Sequence, residues 1–397
     1  MANTLTASET VGRKTGLIIG LTYIFIIFAR GYKSLDHLPP DPGYDYIADA
    51  LTHSMSIIFS RSEPYFHMLP RIIAEIVVLA PTRMHAIYIS VLSNIFWAAC
   101  AFGIFLVAKV ETKKTMLSAI AGAILLLVPT ASESSIGNIG DLKWPLTTFV
   151  FIACCSISFV TRHQFLLIAV TIILGLSQPL IFLCLLPLLY FYFGKRKVAI
   201  HTNLPRVLVL VLLVSAVQLL QTGIDAAAKG RGSVRTFAPW PGMGAFWWSG
   251  LIGPIFLTGS IAFLLICLNG KKFVRPEFFA LSSSLALITS LSCYWLGGIG
   301  DRYFTTPLTM TIAAFVLLSA RLVQHQKLIW RICIYLGWIT IFIPTVKWFQ
   351  PMYYLTDGPR WSQQVNDMSK TCNQNIISEV EIKLSQGTVQ IPCELIK

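Results

Sequence analysis

Charge is scarce in this chain, and acidic charge scarcest: 18 Asp and Glu stand against 31 Lys and Arg in 397 residues, and charged residues make up 12% of the whole. A typical soluble domain carries about 25%, so water is not the main solvent of this chain. Familiar catalytic signatures are missing too. The sequence has no Walker motif, no glycine-rich nucleotide loop in a strand–helix setting, no HExxH and no GxSxG, which excludes the nucleotide, zinc-protease and nucleophile-elbow chemistries built on them. Nine cysteines include no CxxC and no Cys/His spacing of a zinc site. Seven of them (Cys100, Cys154, Cys155, Cys184, Cys267, Cys293 and Cys333) lie in or beside apolar runs and read as packing residues. Ionisable residues are nearly absent from the middle of those runs, which argues against an ion-coupled transporter. There is no internal repeat or low-complexity segment. Ala29-Arg30-Gly31 is a poor cleavage site, so the first apolar run reads as a retained helix.

Hydrophobic residues, at 55%, dominate what is present. Eleven apolar stretches read as membrane spans: 14–30, 84–108, 116–130, 144–160, 164–177, 180–193, 206–222, 246–268, 277–296, 303–320 and 329–346. Several fall short of the roughly 20 residues a straight span needs. The pair 164–177 and 180–193 breaks at Ser177-Gln178-Pro179 and is either two spans or a re-entrant hairpin. The expected fold is therefore an all-α integral membrane bundle over 1–346, followed by a tail over 347–397.

The formal net charge of +13 invites a nucleic-acid reading. Instead the basic residues cluster in short segments between spans, as topology signals do. Lys109, Lys113, Lys114, Arg162, Lys195, Arg196, Lys197, Arg206, Lys271, Lys272, Arg275, Arg321, Lys327 and Arg331 share a side with Arg13 and Lys14. That side reads as cytoplasmic. The opposite, external side receives the long loops and the tail, and with them 15 of the 18 acids. In the tail, Cys372 and Cys393 flank alternating stretches at 380–384 and 388–391. They read as a disulfide-closed β-hairpin, which an external location permits.

Four external segments carry candidate chemistry. The first loop, 31–83, has Asp36, Asp41, Asp45, Asp49 and Glu63. Asp41 lies in Pro39-Pro40-Asp41-Pro42-Gly43, a stiff turn that holds a carboxylate as a general base or metal ligand must be held. Asp45 and Asp49 are spaced i,i+4. A solvated loop charge is the plainer reading of any one acid. Further along the loop, Glu63-Pro64-Tyr65-Phe66-His67-Met68-Leu69-Pro70-Arg71 mixes an acid, Tyr, His and Arg ahead of a short amphipathic helix. Pro70 suits its first position, Pro81 stops it, and it is expected along the periplasmic membrane surface with Arg71 paired to Glu75. Arg71 is fitted to clamp a phosphate and His67 to shuttle a proton; interfacial anchoring is the alternative. The second loop runs from Glu133 through Asn138, Asp141 and Lys143 to Trp144, amides and carboxylates beside an aromatic face, as suits a sugar. Trp144 as a belt anchor competes with that reading. The fourth segment, Gly297-Gly298-Ile299-Gly300-Asp301-Arg302-Tyr303, puts an Arg at the external edge of a span, either at a lipid phosphate or snorkelling. Lys229, Arg231 and Arg235 with Trp240, Trp247 and Trp248 fit an anionic headgroup, a glycan or an ordinary belt equally well.

Together these segments resemble the GT-C superfamily of multi-pass glycosyltransferases, in particular bacterial members that modify O-antigen and cell-envelope glycans. The resemblance rests on Pro40-Asp41-Pro42-Gly43; on Pro64-Tyr65 through His67, Leu69, Pro70 and Arg71; on Gly137-Asn138-Ile139 through Trp144; and on Asp301-Arg302-Tyr303-Phe304 with Pro307. Their order covers nearly the whole chain. The resemblance implies a transferase using a polyprenyl-phosphate-linked sugar as donor and a lipid-linked or lipopolysaccharide-type glycan as acceptor, at the external face of a bacterial inner membrane. Asp41 matches the family's catalytic carboxylate, with Asp45 close enough to replace it, and Arg302 or Arg71 would hold the donor phosphate. Glu63, Tyr65, His67, Asn138, Asp141, Lys143, Trp144 and Tyr303 are the implied substrate contacts. Some members use a divalent cation; no residues here fix a metal site. The rivals are an envelope polysaccharide polymerase or ligase, which would depend more on external arginines, and a transporter or lipid flippase, which would need no catalytic carboxylate.

Overall fold

The computed structural model describes residues 12–38, 43–52, 58, 66–128, 136–194, 204–228, 276–295, 305–322, 360–374, 378–384 and 387–396. The expected spans 246–268 and 329–346 lie outside the described residues, as do Asp41, Glu63, Tyr65, Arg302, Tyr303 and the side chain of Asp45. What is described is mostly helical: α1 Arg13–Gly31, α2 Gly43–Thr52, α3 Met68–Val77, α4 His85–Thr112, α5 Thr115–Leu127, α6 Lys143–Cys154, α7 Ile157–Arg162, α8 Gln164–Gly175, α9 Leu185–Gly194, α10 Leu204–Ala228, α11 Pro276–Trp295, α12 Thr305–Leu322 and α13 Trp361–Gln374. Two strands, β1 Glu379–Leu384 and β2 Gly387–Pro392, pair antiparallel with Val380 opposite Ile391.

Three described helical segments are long and apolar enough to cross a membrane: Arg13–Ser34, Thr82–Thr112 and Leu204–Gln221. Shorter apolar helical segments of 10–17 residues accompany them. At 1.5 Å per residue the 28 residues of α4 run about 42 Å, past the roughly 30 Å hydrocarbon core, and the 12 of α6 or α8 run about 18 Å. The stretch expected as one span over 144–160 is split. Ser156 adopts an extended conformation and its Oγ accepts from Phe159 N at 3.2 Å, so a serine N-cap ends α6 and starts α7.

Helix α4 forms the spine. It packs on α1, α5 and α6. Where α1, α4 and α5 meet, Gly122 leaves room for no side chain: a Cβ there would lie 2.5 Å from the carbonyl oxygen of Ala101 and against Tyr23 Oη. Small residues at such crossings let helix backbones approach closely. Tyr23 Oη in turn donates to Ala119 O at 2.6 Å.

Helix ends in this bundle are held by distant parts of the chain. Arg30 is fully buried at the end of α1 and donates from Nη2 to Val128 O at 2.9 Å and from Nη1 to Leu126 O, closing the carbonyl end of α5. The tail returns to the same end of the bundle as the C-terminus of α1. Trp361 N donates to Asp36 O at 2.8 Å, and the Asp36 carboxylate accepts from Ser362 N at 3.1 Å and from Ser362 Oγ. Trp361 Nε1 donates to Thr82 O at 2.7 Å. Asp36 is thus the N-cap of α13, supplied from 326 residues away. A disulfide from Cys372 to Cys393 fastens α13 to the hairpin.

Gly122→Ala is expected to lower stability by about 1–3 kcal/mol, because the added methyl meets the Ala101 carbonyl as well as Tyr23 Oη, whose ring is held by its bond to Ala119 O. Thermal unfolding in detergent checks this; an unchanged midpoint would contradict the close crossing.

Candidate functional site

The end of the bundle that receives the tail also gathers the polar side chains of the first two loops. Helix α2 carries Tyr46 and Asp49 at i,i+3, on one face. It packs against α3. Arg71 of α3 is 1% exposed, and its Nη1 lies 3.1 Å from Asp49 Oδ2. Its guanidinium carbon is 5.5 Å from the centre of the Tyr46 ring, and that ring is 5.7 Å from His67. The Asp49 contact is an ion pair off the hydrogen-bonding angle, so Arg71 Nε and Nη1 are left without a hydrogen-bond acceptor. A guanidinium carries five N–H donors, and burying it with so few acceptors is costly. The site is therefore built to receive an anion or another acceptor.

The expected pairing of Arg71 with Glu75 does not occur. Arg71 points from α3 to α2, while Glu75 Oε1 is buried with no hydrogen-bond partner. An Arg one turn before a Glu is the weaker order for a helical pair, and Asp49 offers the closer contact. Helix α3 also begins earlier than expected, at Met68 rather than Pro70, with Pro70 inside the first turn where its missing N–H costs nothing. It does not lie free on a surface: Leu69, Arg71, Ile73, Ala74 and Val77 are buried, whereas Ile76 and Leu79 are exposed.

The break at Ser177-Gln178-Pro179 positions α3. His67, at the N-cap, makes no side-chain cap bond. Instead Leu69 N donates to Ser177 Oγ at 3.0 Å and Met68 N to Leu176 O at 3.1 Å, and Phe66 N donates to Gln218 Oε1 of α10 at 3.3 Å.

The second loop turns inward. Gly137 has φ +78, and a Cβ there would sit 3.2 Å from Ser34 Oγ; glycine fits both demands. Asn138 Oδ1 accepts from Gly140 N at 2.9 Å, and Asn138 Nδ2 donates to Asp141 Oδ2 at 3.3 Å. Trp144 Nε1 donates to Asp141 Oδ1 at 3.2 Å, and Lys143 Nζ lies 5.8 Å from the Trp144 ring centre. Asn138, Asp141, Lys143 and Trp144 are all buried. The Asp141 carboxylate is engaged within the loop, and Trp144 is neither an open platform nor a belt anchor. The turn at 139–141 packs against α3, and Ser93 Oγ of α4 donates to Asn138 O at 3.3 Å. Thr306, four residues beyond Arg302, donates to Trp144 O at 3.2 Å and lies 3.0 Å from Thr148 Oγ1, which joins α12 to the same turn.

Of the candidate residues, His67 and Arg71 thus meet Tyr46 and Asp49, while Asn138, Asp141, Lys143 and Trp144 form a buried network beside α3. Asp45 lies on α2 one turn before Asp49. Tyr46, Ser177 and Thr306 were not legible as site residues; Ser177 was marked only as a span break. Among the described residues no group of three His, Cys, Asp or Glu side chains comes together as a metal site. Compared with known proteins, the chain matches no family model and no curated sequence.

Two stability effects follow. Asp49→Asn removes the partner of a buried guanidinium; since Asp49 is 32% exposed, solvent screens part of the loss, and about 1–3 kcal/mol is expected. Asp141→Ala strips acceptors from Asn138 Nδ2 and Trp144 Nε1, at about 1–3 kcal/mol for each donor left bare. Unfolding of the purified variants in detergent checks both, and wild-type midpoints would contradict the network.

Proposed function

We propose that this chain is a multi-pass membrane glycosyltransferase that moves a sugar from a polyprenyl-phosphate carrier to a lipid-linked or envelope glycan at the external face of a bacterial inner membrane. In this reading about eleven spans cross the bilayer from a cytoplasmic N-terminus, and the tail and first loop are external. The observation that carries it is Arg71: a guanidinium 1% exposed, with donors unfilled, at the end of an apolar bundle and one helix away from Asp45. A phosphate linked to a long lipid is an anion that would come to such a place from the bilayer, and planar donors suit it.

The chemistry assigns each group a task. The acceptor hydroxyl attacks the anomeric carbon, a new C–O bond forms, and the bond from that carbon to the phosphate oxygen breaks. The polyprenyl phosphate leaves with the electron pair. Asp41, two residues before α2, takes the hydroxyl proton; Asp45 is the other carboxylate able to do so. Arg71, with Arg302, stabilises the charge that grows on the leaving phosphate. His67 and Tyr46 hold the guanidinium in place, and the Asn138–Asp141–Trp144 network gives α3 a rigid wall to rest on.

The test is transfer of radiolabelled sugar from polyprenyl-phosphate-sugar to envelope glycan in membranes bearing wild type, Asp41→Asn, Asp45→Asn or Arg71→Gln. Asp41→Asn is expected to lose transfer by about 10²–10⁴-fold, and Arg71→Gln by about 10²–10³-fold, the loss typical for a donor to developing negative charge, each at normal protein levels. Loss in Asp45→Asn alone moves the base by one turn. No transfer by wild type across a panel of donors and acceptors would overturn the reading in favour of a transporter or flippase.

A further inference from the structure

The first loop leaves the bundle at the end of α1 and returns to it at the start of α4. Both of its roots meet the same residue of the tail. At the outgoing root, Trp361 N donates to Asp36 O at 2.8 Å, while Ser362 N and Oγ donate to the Asp36 carboxylate. At the returning root, the Trp361 indole Nε1 donates to Thr82 O at 2.7 Å. Trp361 is 1% exposed, so its ring is packed as well as bonded.

Each root leads to a helix of the candidate site. Just past Asp36, Leu38 is buried in the apolar core that also takes in Tyr46 and Ile47 of α2. Asp41 follows on the same stretch of chain. Thr82 comes after α3 and a tight turn, in which Ala80 N donates to Val77 O at 3.0 Å and Met84 N to Pro81 O at 2.7 Å. A shift of Asp36 therefore bears on α2 and a shift of Thr82 on α3, the helices that carry Asp49 and Arg71.

The tail has a footing of its own. Trp361, Val365 and Met368 are buried at i, i+4 and i+7, one face of α13. The last turn of α13 is tied through Cys372 to Cys393, just past β2, and Cys393 N donates to Ser378 O at 2.9 Å. Seating α13 alone would need bonds to one root of the loop. These bonds reach both, and the outgoing root answers with its carbonyl and its carboxylate together.

We propose that the tail is a clasp on the first loop, in which Trp361 and Asp36 are positioning residues that hold α2 and α3, and with them the reacting carboxylate and Arg71, in register. That service to the reaction rests on the transferase reading; the clasp itself does not. A loop closed at its roots samples fewer arrangements, and a misplacement of about 1 Å at reacting groups costs on the order of 100-fold. Both residues act through the helices they hold.

Two measurements on the full chain test it: hydrogen–deuterium exchange in detergent, and sugar transfer with kcat and KM for the polyprenyl-phosphate-sugar taken separately. In Asp36→Ala, and in Trp361→Phe, which keeps a ring but loses the N–H, exchange over 43–52 and 68–77 is expected to quicken about tenfold, the effect of one lost cap or buried hydrogen bond. Transfer is expected to lose about 10–100-fold in kcat per folded protein, with KM little changed. Asp36→Asn keeps an acceptor for Ser362 N and is expected to restore most of both. Lys370→Gln, on the exposed side of α13, leaves both at wild type. Unfolding midpoints accompany each variant; should Trp361→Phe misfold, the Asp36 pair decides. Exchange that quickens only within 361–374, or evenly over every helix, would overturn the proposal, as would wild-type kcat in folded Asp36→Ala. If wild type transfers no sugar, the transferase reading falls, and exchange over 43–52 and 68–77 alone decides the clasp.

Discussion

Several described helix ends in this molecule face the same constraint: their free N–H or C=O groups are buried, so the chain must supply their partners. The supply comes from far away in sequence. Asp36 caps α13, Ser177 receives the first turn of α3, and Arg30 closes the end of α5. These bonds place loops that composition alone leaves unplaced. Asp36 brings the tail over the first loop, and Ser177 sets α3 against α2 and the turn at 139–141. Losing one cap therefore moves a whole segment rather than a single residue.

The same constraint gathers buried polar side chains where the first two loops meet α3. There, Arg71, Asp49, Tyr46 and His67 sit beside a network in which Asp141 serves Asn138 and Trp144. Rigid neighbours are what a group aimed at a developing charge requires, since a misplacement of about 1 Å weakens it greatly.

Much of the helical frame was legible because long apolar runs have few alternatives in lipid. The run at 14–30 became α1 over Arg13–Gly31, and that at 84–108 became α4 over His85–Thr112. The break at Ser177-Gln178-Pro179 was visible from proline and polarity, although its task of holding α3 was not. What escaped was set by pairing across sequence. Nothing local told Arg71 to choose Asp49 over Glu75, or turned Asp141 and Trp144 inward, or marked Asp36 as the cap of a helix near the other terminus. Ser156 was hidden for a different reason: one serine within an apolar stretch looks like part of a span until its hydroxyl is seen to accept from Phe159 N.

The account stands or falls on the first loop and the tail sharing one side of the membrane, with the Arg13 end on the other. Single cysteines introduced as Lys33→Cys, Lys370→Cys and Lys14→Cys, each at an exposed position, report this directly through a membrane-impermeant maleimide applied to intact spheroplasts and to lysed membranes. The account predicts labelling of positions 33 and 370 in intact spheroplasts and of position 14 only after lysis. Labelling of 33 and 370 from opposite sides, or of 14 together with both, would contradict it.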